Sequence, residues 1–339
     1  MRTAFGETFD VPTGYLNTAS VGVPPIAVAD AVTTAVGRWR TGAAEPPEYD
    51  KHVALAREAW ARLVGVPHTT VGSGASVSQM ISLVAAGLPE STRVVTVAGE
   101  FTSVTFPFAA RGMRVTEVAP EDLVRAAGQH DLVAVSVVQS ADGAIADLDA
   151  LRESGTRVLL DATQAVGWLP LRLDWADWVV GASYKWLMAP RGAAWLAVRP
   201  DVVDLTSPAA ANWYAGEDPW QSVYGLPLRL AGDARRFDLA PVWFAQVGAA
   251  AALPWLADLD LEQVRAHCVR LANATLTGLG RPPGDSAIIS LELPDSAAAA
   301  LRRAGVVGAV RAGRTRLSFH LYNTEEDVDV VVRTLSGQR

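Results

Sequence analysis

From about residue 50 to 200 the chain alternates between two hydrophobic periods. The segments EYDKHVALAREAWARLVG, SVSQMISLVAAGL, FTSVTFPFAARG, APEDLVRAAGQ and DLDALRESG carry the mixed apolar and polar pattern of helices. Between them lie RVVTVAG, RVTEV, LVAVSVVQ, RVLLDAT, WVVGAS and AAWLAVRP. These runs are short, Val-rich and apolar throughout, as strands become when both sheet faces are covered. Strand–helix alternation at this spacing predicts an α/β fold with a mostly parallel sheet and helices on both sides. Residues 201–242 read as irregular and are dense in Trp, Pro and Gly. From about residue 243 a long amphipathic helix is expected, with breaks at Pro254 and near Asp260. The tail then reads strand (AIISLEL), helix (SAAAALRRAG), strand (TRLSFHLYN) and helix (TEEDVDVVVRTL), a small α+β unit. The expected division is a segment 1–45 packing across both parts, a large domain 46–235 and a small C-terminal domain 236–339.

Composition narrows the class. The 339 residues, half of them hydrophobic, suffice for an ample core. A net charge of -7 without a basic run argues against nucleic acid as a partner. No apolar stretch reaches the roughly 18 residues of a membrane span. The N-terminus, MRTAFGETFDVPTGYLN, lacks the basic start and apolar core of a secretory signal. The single cysteine, Cys268, fits a reducing compartment. A cytoplasmic enzyme is therefore expected.

The chemistry concentrates in LLDATQAVGWLPLRLDWADWVVGASYKWLMAPRG, residues 159–192. Ligands of an open α/β sheet sit beyond the carboxyl ends of its strands. Asp161 and Lys185 both fall at such ends. Asp161 alone reads equally well as a helix N-cap. Lys185 is unusual, because the only other lysine is Lys51. Its apolar neighbours predict desolvation, which lowers an amine's pKa and favours Schiff-base chemistry. Pyridoxal 5'-phosphate requires such a lysine, a carboxylate on its pyridinium nitrogen and donors for its phosphate. Val71-Gly72-Ser73-Gly74-Ala75-Ser76, before the helix SVSQMISLVAAGL, reads as a small-residue turn that supplies those donors.

Three stretches carry a resemblance to a known family: DATQAVGWLP followed by SYKWLMAPRG, the tail RTRLSFHLYNTEEDVD, and the opening YLNTASVGVPP. Together they resemble the class V aminotransferases, the fold-type I group that includes cysteine desulfurases, isopenicillin N epimerase-like proteins and kynureninases. The resemblance implies a large domain with a seven-stranded-type sheet, pyridoxal 5'-phosphate as cofactor, an amino-acid substrate and a homodimer. It implies that Lys185 holds the cofactor, Asp161 pairs with the pyridinium nitrogen and Gln164 meets the ring hydroxyl. Ala75 and Ser76 would bind phosphate, with hydroxyls from Ser183 and Tyr184 added. Phe101, or Thr102 if the register shifts by one, would stack on the ring. Arg316 would clamp the substrate carboxylate, with Arg311 and Arg314 nearby.

The chain departs from the desulfurases in two places. Arg311-Ala312-Gly313-Arg314-Thr315-Arg316 leaves no room for a cysteine-bearing loop, and Tyr184 stands where desulfurases use histidine. Cys268, among apolar residues at helical spacing, reads as packing. His320, inside the predicted strand RLSFHLYN, reads as structural. The aromatic segment around Asn212–Trp220, with Tyr224 and Trp243, suggests core packing or a cage for an apolar or cationic side chain. The expected reaction is Cβ–S elimination without a catalytic cysteine, of the kind performed by ergothioneine-type C–S lyases. A true aminotransferase is the alternative, with epimerase and kynureninase-like hydrolase behind it. A cofactor-free binding protein is the reading from a different class; Lys185, Asp161 and Gln164 argue against it.

Overall fold

A computed structural model describes residues 1–337. A hairpin of β1 (Arg2–Ala4) and β2 (Glu7–Phe9) leads through an extended stretch to α1 (Ile26–Arg40) and α2 (Asp50–Val64). There follow β3 (Val71–Gly74), α3 (Val77–Gly87), β4 (Arg93–Val97), α4 (Thr102–Ala110), β5 (Arg114–Val118) and α5 (Leu123–Ala127). Then come β6 (Leu132–Ser136), α6 (Leu148–Glu153), β7 (Arg157–Asp161), β8 (Trp178–Ala182) and β9 (Ala194–Val198). Two long helices, α7 (Trp243–Asp258) and α8 (Leu261–Gly278), precede β10 (Ile288–Leu291), α9 (Asp295–Arg303), β11 (Ala309–Arg311), β12 (Arg314–Ser318) and α10 (Glu325–Ser336).

The main sheet has seven strands in the order β3-β9-β8-β7-β6-β4-β5. Strands β5, β4, β6, β7 and β8 run parallel; at one side β9 pairs antiparallel with β8, and β3 pairs antiparallel with β9. Strand pleating sends alternate residues to opposite faces. Leu160, Val133 and Val135 join a cluster with Trp60 and Leu256 from α2 and α7. Leu159, Leu132 and Ala134 join a second cluster with Ile81 and Phe108 from α3 and α4. Both faces are therefore apolar, which accounts for the unbroken hydrophobic runs in the sequence. The smaller antiparallel sheet, β10-β12-β11, packs with α8, α9 and α10 around Leu271, Leu291, Leu317, Phe319 and Leu335.

Several expectations change. Val71–Gly74 is not a turn but the edge strand β3, with the turn compressed into Ala75 and Ser76. Pro254 does not break α7, which runs through it; the break falls at Leu259–Asp260, where the Asp260 carboxylate caps α8 through the Glu262 and Gln263 amides. The last strand ends at Ser318, so His320 lies just beyond it. Helix α1 and strand β11 have no counterpart among the elements expected from the sequence pattern.

Edge strand β3 is held by a buried charge pair. Asp238 accepts from the Ser73 amide at 2.7 Å and from Arg57 at 2.6 Å, while Arg57 also donates to the Val71 carbonyl. The N-terminal segment is tied down at both ends. Leu16 and Gly14 exchange backbone bonds with Val307, Leu16 accepts from Ser318, and the Gly22 amide donates to the Tyr184 carbonyl at 2.9 Å. It thus forms a strap from the small sheet to the lysine-bearing turn. Because removing one member of a buried pair strands the other charge, Asp238→Ala should lower stability by about 3–5 kcal/mol, read by urea unfolding. A loss below about 1 kcal/mol would show that the pair does not hold β3.

Candidate active site

Parallel pairing of β7 with β8 brings the Asp161 and Lys185 ends of two strands side by side. The turn after β8 is fixed from several directions. Ser183 Oγ donates to the Pro190 carbonyl at 2.6 Å, and the Ser183 amide donates to Ala193. The buried His320 donates from Nε2 to the Trp186 carbonyl at 2.8 Å, since a carbonyl only accepts. The Trp186 indole donates to Gln164 Oε1 at 2.8 Å. From outside, a Cβ on Gly22 would lie 1.9 Å from the Lys185 carbonyl oxygen, so the strap lies against the turn as only glycine permits.

This framework presents Lys185 to a cavity of about 590 Å³. The residue is 7 % exposed, with its Nζ 5.3 Å from the Phe101 ring centre and 5.7 Å from that of Tyr184. Burial pulls its pKa down to about 8; Asp161 opposes the shift, while Arg316, Arg311 and Arg191 reinforce it. Asp161 is buried too, and desolvation raises its pKa against the pull of Thr163 and Lys185. Its Oδ1 accepts from the Thr163 amide at 2.8 Å, so it caps a turn and no helix follows.

The other predicted residues fall into two groups. Phe101, Tyr184 and Arg316 line the same cavity as Lys185, and Thr102 does not. Gln164 and Ser183 lie behind it. Gln164 Nε2 donates to the Ala19 carbonyl at 3.0 Å and to Ser140 Oγ at 3.2 Å. The Ser183 hydroxyl is committed to Pro190, so it offers its proton to the turn rather than to the cavity. Ala75 and Ser76 stand at the N-terminus of α3, where Ser76 Oγ caps the Gln79 amide. They do not line the cavity itself. Arg316, 1 % exposed, donates to Ser140 and, at 2.7 Å, to Ser20 Oγ. Burial lowers its pKa to about 10, with Arg311 adding to the effect. Arg311 lines the cavity as well, whereas Arg314 is drawn to Ser290 and Glu292.

Four participants have no role assigned from the sequence: Ser20, Ser140, Glu100 and Arg191. The buried Glu100 accepts from the Phe101 amide and from the Ser136 amide and hydroxyl, and Gln139 supplies a fourth bond. It thereby fixes the loop that carries Phe101. Ser140 follows the carboxyl end of β6, and that position is the one available signal. Trp213, Tyr214 and Trp220 do not line the cavity of their own chain. They pack together, and Tyr214 and Trp220 donate to Asp50. Cys268 is fully buried in α8 with its thiol pKa raised by desolvation, and it too is absent from the cavity wall.

An amine held near neutrality, a buried carboxylate coupled to it, an aromatic ring beside it and a helix N-terminus nearby are the groups that pyridoxal 5'-phosphate requires. Residues 47–300 match the model of the aminotransferase class-V family, and the chain belongs to that family. It is accordingly a pyridoxal 5'-phosphate-dependent enzyme. An uncharacterized aminotransferase of Bacillus subtilis is 28 % identical over 304 residues, covering 81 % of this chain and 80 % of that protein. Isopenicillin N epimerase of Streptomyces clavuligerus is 26 % identical over 382 aligned positions, covering 95 % and 94 %. Among solved structures, the cystine C–S lyase C-DES superposes with a TM-score of 0.84 at 17 % identity, covering 96 % of this chain and 98 % of that one. The cysteine desulfurase of Thermococcus onnurineus superposes at 0.83 with 20 % identity, covering 96 % and 94 %. Both share the fold. No helix among the described residues is long and apolar enough to cross a membrane.

Only the neutral amine is nucleophilic, so cofactor capture by the cofactor-free protein should quicken about tenfold per pH unit up to about pH 8 and level off above it. An ordinary exposed lysine would keep gaining until beyond pH 10. Stopped-flow absorbance distinguishes the two, and a rate still climbing steeply at high pH would show an unshifted amine.

Proposed function

We propose that the protein is a Cβ–S lyase that eliminates a thiol from an amino acid and uses no catalytic cysteine. The observation that carries this reading is the cavity: a near-neutral buried amine faces a fixed guanidinium, and no thiol lines the walls. Bound pyridoxal 5'-phosphate supplies an electron sink that makes the bonds at the substrate Cα labile. Lys185 would hold the cofactor and then act as the base for the Cα proton. Asp161 keeps the ring nitrogen charged. Gln164, fixed by Trp186 and Ser140, would support the cofactor from behind the cavity, and Phe101 would pack against it. The helix N-terminus at Ala75–Ser76 and the Tyr184 hydroxyl serve the phosphate. Arg316 would grip the α-carboxylate and so orient the Cα–H bond toward Lys185. As that proton leaves, the Cβ–S bond breaks, and sulfur departs with the electron pair. Hydrolysis of the resulting 2-aminoacrylate yields pyruvate and ammonia.

The chain also carries an exposed apolar stretch, with Tyr224 92 %, Leu226 90 % and Leu228 61 % exposed. Such a surface suits a homodimer interface. Sedimentation at working concentration should give twice the chain mass; a monomer throughout would remove the dimer.

The reaction is tested by supplying S-substituted cysteines without a keto acid. Pyruvate, ammonia and free thiol should appear in equal amounts, and Lys185→Ala should abolish them. Arg316→Lys keeps the charge but loses the two-pronged geometry, so kcat/KM should fall on the order of 10- to 1,000-fold, about 1.4–4 kcal/mol. Product formation that depends on an added 2-oxo acid would make the protein an aminotransferase instead.

A further inference from the structure

The cavity is cationic beyond what an α-carboxylate needs. Its lining side chains include Lys185, Arg191, Arg311 and Arg316, and no aspartate or glutamate. Lys185 has Asp161 to balance it. Among the described residues, no carboxylate lies within ion-pair distance of the three arginines. Arg316 and Arg311 converge on one hydroxyl, Ser20 Oγ, at 2.7 and 3.4 Å, and form one anion site. Arg191 stands elsewhere. It follows Pro190 on the turn after the lysine, its guanidinium lies 5.2 Å from the Tyr184 ring centre, and no hydrogen bond from the described residues occupies its side chain.

The remaining wall is apolar: Val28 and Val32 of α1, with Pro24 and Met188. A cationic side chain entering here would meet only like charge. A neutral one would leave Arg191, which lines the cavity on its exposed side, without an ion partner. Resting on the reading of Arg316 as the α-carboxylate clamp, we propose that the substrate is an amino acid with a second anionic group on its side chain, a carboxylate or an oxygenated sulfur acid, bound by Arg191. The Tyr184 ring centre lies 5.2 Å from the guanidinium carbon, and the guanidinium fork suits a two-pronged bond to a carboxylate.

The test uses cofactor-loaded enzyme and two thioethers of nearly equal shape, S-carboxymethyl-L-cysteine and S-carbamoylmethyl-L-cysteine. One bears the carboxylate and the other its neutral amide. Affinity is read from the change in cofactor absorbance as well as from pyruvate release. The acid should bind tighter by on the order of 10- to 100-fold, the range of a hydrogen bond to a charged group. Arg191→Gln should reduce that ratio to near one, and Arg191→Lys should restore part of it. Equal affinities in the unaltered enzyme overturn the proposal while leaving the lyase intact. The proposal is likewise overturned if Arg191→Gln weakens cofactor binding in a pyridoxal 5'-phosphate titration yet preserves the ratio, since Arg191 then serves the cofactor's phosphate. If neither thioether perturbs the absorbance, nor do aspartate, asparagine, glutamate and glutamine, the amino-acid site itself is refuted and the proposal falls with it.

Discussion

Keeping the Lys185 amine out of water is the constraint on which the other features depend. Moving a cation into an apolar interior is costly unless a partner or a lost proton relieves it. Both occur here: Asp161 supplies the partner, and the pKa near 8 brings the neutral form within reach of ordinary pH. Burial alone would let the turn swing the amine outward. The bonds from His320 to Trp186, from Ser183 to Pro190 and from Gly22 to Tyr184 prevent this. They come from the small sheet's end, from the turn itself and from the N-terminal strap. Two distant parts of the chain thus converge on a single turn.

The same convergence links Arg316 to Gln164. Ser140 Oγ receives both Gln164 Nε2 and Arg316, and Ser20 receives Arg316 from the opposite side. Trp186 then connects Gln164 back to the lysine turn. Arg316 is therefore held rigidly before any substrate arrives, and little side-chain freedom is lost when a carboxylate binds. His320 belongs to this scaffold. Its pKa, lowered to about 3 by complete burial, keeps it a neutral donor at any working pH.

The parallel core was legible because its physics is local. Leu159 and Leu160 must face opposite hydrophobic clusters, so the strand writes itself as an apolar run. The DATQ and SYKW segments were legible for a different reason: a charged residue ending an apolar strand is rare unless a site needs it. What stayed hidden depends on tertiary partners. VGSG looks like a turn by composition, and it becomes a strand because Asp238 and Arg57 hold it against β9. Pro254 looks like a breaker, yet packing on both sides carries α7 past it. The strap has no periodicity, since its bonds go to Val307, Ser318 and Tyr184, each more than 160 residues away. Arg191 lies inside a motif legible in the sequence, but its meaning emerges only once the cavity's charges are counted together.

The hairpin β11–β12 shows how backbone geometry selects chemistry. Arg311 pairs with Arg314 across a two-residue turn, Ala312–Gly313, and both central residues have positive φ, 46° and 73°. Positive φ at both positions is the geometry of a type I′ turn, whose twist matches that of the flanking strands. Glycine adopts it freely, whereas alanine does so at about 1–2 kcal/mol. The strained residue therefore sits where a longer loop would have relieved it. A longer loop would also have separated Arg311 from Arg316 and given a nucleophilic side chain the reach to enter the cavity. The tight turn instead brings the two guanidiniums together at Ser20 and leaves the amine of Lys185 as the only nucleophile that burial has brought near neutrality in this cavity.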